Sequence, residues 1–320
     1  MAAEKHISEN GNLRGFLLRH LLPYLLLVAV ICYVVDWGVR EYVIFRTPMH
    51  GAAKIHRSIE RVSPEIPILG SSRALGSYFP DSLSLASYNY GMNGTGFDLI
   101  DLFLQLDLAR SHSKQPLIIN FDYDLFKPDI GDINSYIPHV HDPRVRDLMA
   151  SHGKLKWWYR IPGIRFFNSY DSYIKDQINF RVGLTKVSSL GAALEKNVIP
   201  EAQFKKLVDK RLAKPQKWVV NEKQEAKLVA HFESRPDRMF YLVVAPYHWS
   251  YYESFQGMAQ AQAWLRGMDA RENVRVIEVD GREWGDSLFV NTTHINYAGA
   301  LRFTAMVRDS IFGTADPQAP

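Results

Sequence analysis

Two short segments carry the side chains best suited to chemistry. Ile68-Leu-Gly-Ser-Ser-Arg73 ends a short apolar run in a glycine–serine turn, and Asn291-Thr-Thr-His-Ile-Asn-Tyr-Ala-Gly299 sets a histidine just ahead of a helical pattern. A serine hydroxyl is a poor nucleophile at neutral pH until a base takes its proton, and histidine is the usual base. A turn of this kind also offers free backbone N–H groups at the top of a sheet. The two segments lie at opposite ends of the chain, so only a fold can join them. The chemistry they suggest together is serine-based acyl transfer.

The elements needed to position them are legible as an alternation. Apolar strands are expected at Ile66–Leu69, Ser87–Tyr90, Pro116–Phe121, Met239–Ala245 and Val274–Val279. Helical spacing is expected at Phe97–Ala109, about 220–234, about 254–268 and Tyr297–Phe312. Short apolar strands between amphipathic helices predict an α/β fold, a three-layer α/β/α sandwich with a mainly parallel sheet. Ligands of such sheets bind beyond the carboxyl ends of the strands. Gly70–Ser72, Gly91–Gly94 and Asp122–Asp124 each follow a strand and should crowd one edge. Residues 127–218 break the rhythm with aromatics and basic residues (Lys154-Leu-Lys-Trp-Trp-Tyr-Arg160, Arg165-Phe-Phe167, Lys205 to Lys217) and are expected to be an insertion forming a lid or side wall.

Residues 21–35 carry no charge, and Leu17, Leu18, Trp37 and Val39 extend the apolar run past isolated polar residues. That length suits a bilayer span over 21–39, with 1–20 cytoplasmic because Arg14 and Arg19 precede it. A cleaved signal peptide or a buried helix are the alternatives. Residues 40–65 are expected as a stalk, 66–312 as the folded domain, and 313–320 as a disordered tail. The 320 residues are 47% hydrophobic and 22% charged, with a net charge of +4 too small to argue for nucleic acid. The single cysteine, Cys32, excludes an internal disulfide.

These blocks resemble the SGNH/GDSL hydrolase superfamily over nearly all of 66–126 and 237–312. Gly70-Ser71-Ser72 matches its Gly-x-Ser block, which implies Ser72 as nucleophile. Asn89-Tyr-Gly-Met-Asn-Gly94 matches the Asn-x-x-x-x-Gly block, which implies that the N–H groups of Gly94 and Ser72 hold an oxyanion. Asn291-Thr-Thr-His294 stands where the family has Asp-x-x-His, implying His294 as base and Asn291 as its orienting partner. The family's Gly-x-Asn-Asp block is absent. The corresponding strand end reads Asn120-Phe-Asp-Tyr-Asp124, so Asn120 or Tyr123 is the candidate third oxyanion donor. An amide can orient a histidine but adds no charge, so Asp286 or Asp122 is a candidate source of one. Substrate contacts are expected from Arg73, Asn93, Asp122, Tyr123 and His248.

Blander roles stand beside these. Ser72 could cap the next helix, His294 could make a structural hydrogen bond, Gly94 could be a turn glycine, and Arg73 could sit in an ion pair. His139-Val-His141-Asp142 lies between prolines and reads as a loop, not a metal site. Trp157, Trp158 and Tyr159 could stack on sugars, rest on lipid headgroups, or pack. Within the superfamily the chain is most similar to a membrane-anchored subgroup that moves acyl groups onto bacterial exopolysaccharides. That implies an inner-membrane, single-pass protein with a periplasmic domain, a polysaccharide substrate, no cofactor, and a multi-spanning acyltransferase partner. An esterase of the same glycan and a non-catalytic glycan-binding or scaffold subunit are the other readings.

Overall fold

The computed structural model describes residues 15–313 apart from 49, 62–63, 111–113, 167–172, 176–177, 179–181, 183–185 and 197. The expected cytoplasmic stretch before residue 15, Phe167, and the tail beyond 313 lie outside the described residues. Five strands form one sheet: β1 (Ile66–Leu69), β2 (Ser87–Asn89), β3 (Leu117–Asn120), β4 (Phe240–Val244) and β5 (Val274–Glu278), in the order β2-β1-β3-β4-β5. Every neighbouring pair is parallel, with Ile68 beside both Asn89 and Ile118, and Asn120 beside Val243. All five carboxyl ends therefore open on one edge.

A parallel sheet must be covered on both faces, and the alternation of its side chains shows that it is. Leu69, Leu117, Ile119, Leu242 and Val244 join one core, shared with helices α2 (Gly51–Glu60), α4 (Phe97–Leu108), α6 (Glu222–Ser234) and α7 (Met258–Asp269). Ile66, Ile68, Ile118 and Val243 join the other, shared with α3 (Ser72–Ser77), α5 (Glu201–Leu212) and α8 (Tyr297–Phe312). This is the α/β architecture with helices on both faces that the alternation predicts. The helix expected over about 254–268 is α7, which begins later, at Met258, because a two-residue strand Phe255–Gln256 and Gly257 (φ +91°) separate it from a short helix Trp249–Ser254.

The long excursion between β3 and β4 carries helix Pro143–Ser151, an antiparallel ribbon Lys186–Ser189/Ala192–Glu195, and α5. The ribbon's Leu190 carbonyl accepts the Asn89 N–H at 2.9 Å, and Ala192 and Leu194 are buried, so the ribbon covers the otherwise open β2 edge.

One N-terminal helix, α1 (Leu17–Ile44), is long and apolar enough to cross a membrane. Its residues from Leu17 to Val35 are exposed all round except for half-buried Cys32. An apolar surface on every side of a helix has no stable place in water. Residues 40–65, expected as a stalk, do not stand apart from the domain. Ile44 enters the core, and α2 buries Ala52, Ala53 and Ile55.

Candidate functional site

The site begins with the turn after β1. Gly70 (φ +151°) lies so close to its surroundings that a Cβ there would come within 2.7 Å of Ala74 Cβ and 3.0 Å of Asn120 Cβ. Glycine is thus required where the strand folds directly into α3. Ser71 caps that helix, its Oγ accepting the Arg73 N–H at 3.2 Å. The capping role open to Ser72 falls to Ser71, and Ser72 becomes the first helical residue. Its N–H therefore has no intrahelical acceptor, and its side chain faces the cavity.

Ser72 Oγ lies 2.9 Å from His294 Nε2. The histidine belongs to a short antiparallel pair, Phe289–Asn291 with His294–Ile295, that leads into α8. Asn291 Oδ1 accepts the backbone N–H groups of Thr293 at 2.9 Å and His294 at 3.0 Å, which identifies that atom as the oxygen. The Thr293 hydroxyl also reaches it at 2.9 Å. His294 Nδ1 faces Thr293 Oγ1 at 2.9 Å and Asn291 Oδ1 at 3.2 Å. Both are acceptors there, so Nδ1 carries the proton and Nε2 is left to accept the Ser72 proton.

Arg73 ties the two arms together. Its Nε donates to the Thr293 carbonyl at 2.8 Å, Nη1 to Asp122 Oδ1 at 2.9 Å, and Nη2 to the carbonyls of Ala245 at 2.5 Å and Pro246 at 3.2 Å. The guanidinium lies 3.4 Å from the Tyr247 ring centre and is 4% exposed. Burial works against this charge, and Tyr247 and Asp122 more than offset it, so Arg73 titrates above its ordinary value. Burial raises the Asp122 carboxyl, with Arg73 opposing. Asp122 also accepts from Asn120 Nδ2 at 2.8 Å and from Ser71 Oγ. Arg73 is thus a structural brace at the cavity wall, with its donors engaged inside the protein.

The cavity has a volume of about 260 Å³, and Ser72, His294, Gly94, Asp122 and Arg73 line it. Gly94 (φ +65°) is exposed in the turn after β2. That turn is anchored by Asn89, whose Oδ1 accepts the Gly91 N–H at 2.8 Å and whose Nδ2 donates to the Ala74 carbonyl at 2.7 Å. Asn89 therefore fixes the Gly91–Gly94 loop against the serine helix.

Three expected contacts are corrected. Asn120 is fully buried, its amide spent on Asp122 and on Tyr78 Oη at 3.2 Å, so it is no oxyanion donor. Tyr123 points into the core and donates to Glu278 at 2.8 Å. His248 is buried, caps helix Trp249–Ser254, and meets Asp286 at 3.0 Å. Burial lowers its pKa, with Asp286 opposing. Asn93, a further expected contact, is exposed beside Gly94 at the cavity. The two candidate carboxylates are committed elsewhere, Asp286 to His248 and Asp122 to Arg73.

The cavity also takes residues that sequence reasoning passed over. Tyr247, in the loop after β4, and Tyr251, in the helix that follows, line it, while His248 between them is turned inward as that helix's cap. Arg211, from the basic run of α5, lines it too and donates to Thr292 Oγ1 at 3.1 Å. Lys127 and Asp129 complete a polar rim with Asp124, whose place at this edge was expected. His139 is buried and bonded to the Ala52 carbonyl at 2.8 Å, while His141 is exposed. Among the described residues no three His, Cys, Asp or Glu side chains are grouped to hold a metal ion. Compared with protein-family profiles and with curated proteins, the chain matches none.

Proposed function

We propose that this chain is a serine acyl-transfer protein of the SGNH type, acting outside the cytoplasm on the hydroxyl groups of a cell-surface polysaccharide. The observation that carries the reading is the 2.9 Å contact of Ser72 Oγ with His294 Nε2, between residues drawn from opposite ends of the chain. His294 takes the Ser72 proton as Oγ attacks the acyl carbonyl of a donor ester or thioester. The oxyanion is received by the N–H groups of Ser72 and Gly94. The imidazolium returns its proton to the leaving group, and the acyl chain remains on Ser72. A sugar hydroxyl, deprotonated by His294, then takes the acyl group; water in its place makes the same site an esterase. The glycan and the multi-spanning donor partner rest on the sequence resemblance. The apolar helix α1 supports a single membrane anchor.

The test is labelling by a fluorophosphonate and release of p-nitrophenol from an acetyl ester. Wild type is expected to label on Ser72, and Ser72→Ala to lose at least about a thousandfold in turnover. An unlabelled, folded wild type, or equal rates for the two proteins, refutes the catalytic reading. Adding polysaccharide acceptor separates the two fates of the acyl-enzyme, by acylated glycan in one case and free acid in the other.

A further inference from the structure

We infer that the segment from Lys154 to Ile164 is a membrane-contact surface that seats the domain on anionic lipid headgroups beside its anchor. The inference depends on α1 lying in a bilayer and is independent of the acyl-transfer chemistry.

The segment is fixed to the anchor helix itself. Arg165 Nε donates to Asp36 Oδ1 at 2.7 Å, its Nη2 bonds Asp36 Oδ2, and the Gly163 N–H reaches Asp36 Oδ1 at 3.0 Å. Both charged side chains are 3% exposed. Gly163 presses on the helix one turn earlier, where a Cβ would come within 2.7 Å of Cys32 Cβ. The domain is thus docked on α1 at a defined height.

That height coincides with the bilayer face. Over the span 21–39 the helix rises about 27 Å, against a hydrocarbon core of about 30 Å. Asp36 then lies within one helical turn of the end of that span, where hydrocarbon gives way to headgroups, and Cys32 lies about 6 Å deeper. A loop that touches both is at the interface.

Its exposed side chains match that location. Trp157 is 74% exposed and Ile164 48%. Lys154, Lys156 and Arg160 are exposed around them, and residues 154–165 contain no acidic residue. Tryptophan beside lysine and arginine is the composition of an interfacial anchor, with the rings at headgroup depth and the cations among phosphates. The surface is unsuited to water, where Trp157 gains nothing from exposure, and its charge complements an anionic leaflet.

The test uses the full chain in lipid nanodiscs, in a Cys32→Ala background. A single cysteine at Trp157→Cys carries a bimane label. The control is Met306→Cys, 41% exposed on α8 in the opposite helical layer. Phosphatidylcholine carrying a headgroup nitroxide is the quencher, with and without about one part in three phosphatidylglycerol. Quenching at 157 is expected to exceed that at 306 by about threefold or more. Lys154→Glu with Lys156→Glu is expected to reduce it in the anionic discs while leaving the neutral ones unchanged. Equal quenching at the two positions overturns the proposal and returns the aromatic cluster to a glycan or protein partner. Insensitivity of the double variant in anionic discs overturns the assignment to anionic headgroups, and a chain that does not enter discs at all overturns the premise.

Discussion

Asn291 offers the sharpest perturbation of the site. Its Oδ1 lies 3.2 Å from His294 Nδ1 and already accepts the N–H groups of Thr293 and His294. A carboxylate has the same shape and accepts the same bonds, so Asn291→Asp keeps the turn and adds a full negative charge beside the imidazolium. At 3.2 Å, Coulomb's law gives about 1.3 kcal/mol in water and about 5 kcal/mol at an effective dielectric constant of about 20. Both residues are half-buried, which screens the pair toward the lower figure, so about 1–3 kcal/mol is expected. At about 1.4 kcal/mol per factor of ten, that is a rise of about five- to a hundred-and-fiftyfold in kcat/KM. The same charge favours protonated His294, so the acid limb of the pH–rate profile moves about one to two units alkaline. Rates must therefore be compared on the alkaline plateau, where His294 is neutral in both proteins. The assay is hydrolysis of p-nitrophenyl acetate across pH, with Tm measured in parallel. A folded Asn291→Asp no faster than wild type on that plateau, or an acid limb displaced to lower pH, refutes the view that His294 is a base short of a charge.

Arg73→Gln leaves Asp122 buried without its counter-charge and is expected to cost about 3–5 kcal/mol of stability in urea unfolding; a loss under about 1 kcal/mol refutes the bracing role assigned to Arg73. His139 is pushed down to about 3 by burial, with its bond to the Ala52 carbonyl opposing. Between about pH 6.5 and 3 the unfolded chain binds a proton that the native state refuses, so stability present above pH 6.5 is lost toward pH 3 at about 1.4 kcal/mol per unit. His139→Gln, which keeps an N–H donor for Ala52, is expected to remove that slope; an unchanged acid limb of stability excludes His139 as its source.

The sheet was readable because parallel strands buried on both faces must be continuously apolar. Ile66–Leu69, Leu117–Asn120 and Phe240–Val244 stand out against their polar flanks for that reason. Ser72 and His294 were readable because each lies in a short block, Gly-Ser-Ser and Asn-Thr-Thr-His, placed in order at the junction of two elements. The polar interior was not readable. Nothing in Asn120-Phe-Asp-Tyr distinguishes an amide facing substrate from one spent on Asp122, since both directions are available at a strand end. Tyr247 and His248 show the same ambiguity: both lie in the loop beyond β4, where no strand alternation tells which ring lines the cavity. Arg211 lies in a lysine-rich helix whose composition reads as a solvated face. Its place at the cavity follows from how α5 packs, which is a long-range fact.

The arrangement separates two duties that one aspartate performs in a Ser-His-Asp triad. Orientation of the histidine is retained, because Asn291 Oδ1 is locked by two backbone donors and presents acceptor density to Nδ1. Charge stabilisation is not supplied by that atom. Asp122, a buried carboxylate lining the cavity on the serine side, is paired with Arg73 and shared with Asn120 and Ser71. Arg73 in turn holds the Thr293 carbonyl, next to the histidine. The ion pair therefore ties the Ser72 and His294 arms together, with the charge of Asp122 opposed by that of Arg73. A base oriented in this way suits a donor whose acyl group is already activated, since a thioester or a good ester leaving group demands less of the imidazolium than an amide does. Replacing Asn291 with aspartate should then help most on the poorest leaving groups, because those are the substrates for which charge on the histidine limits the rate.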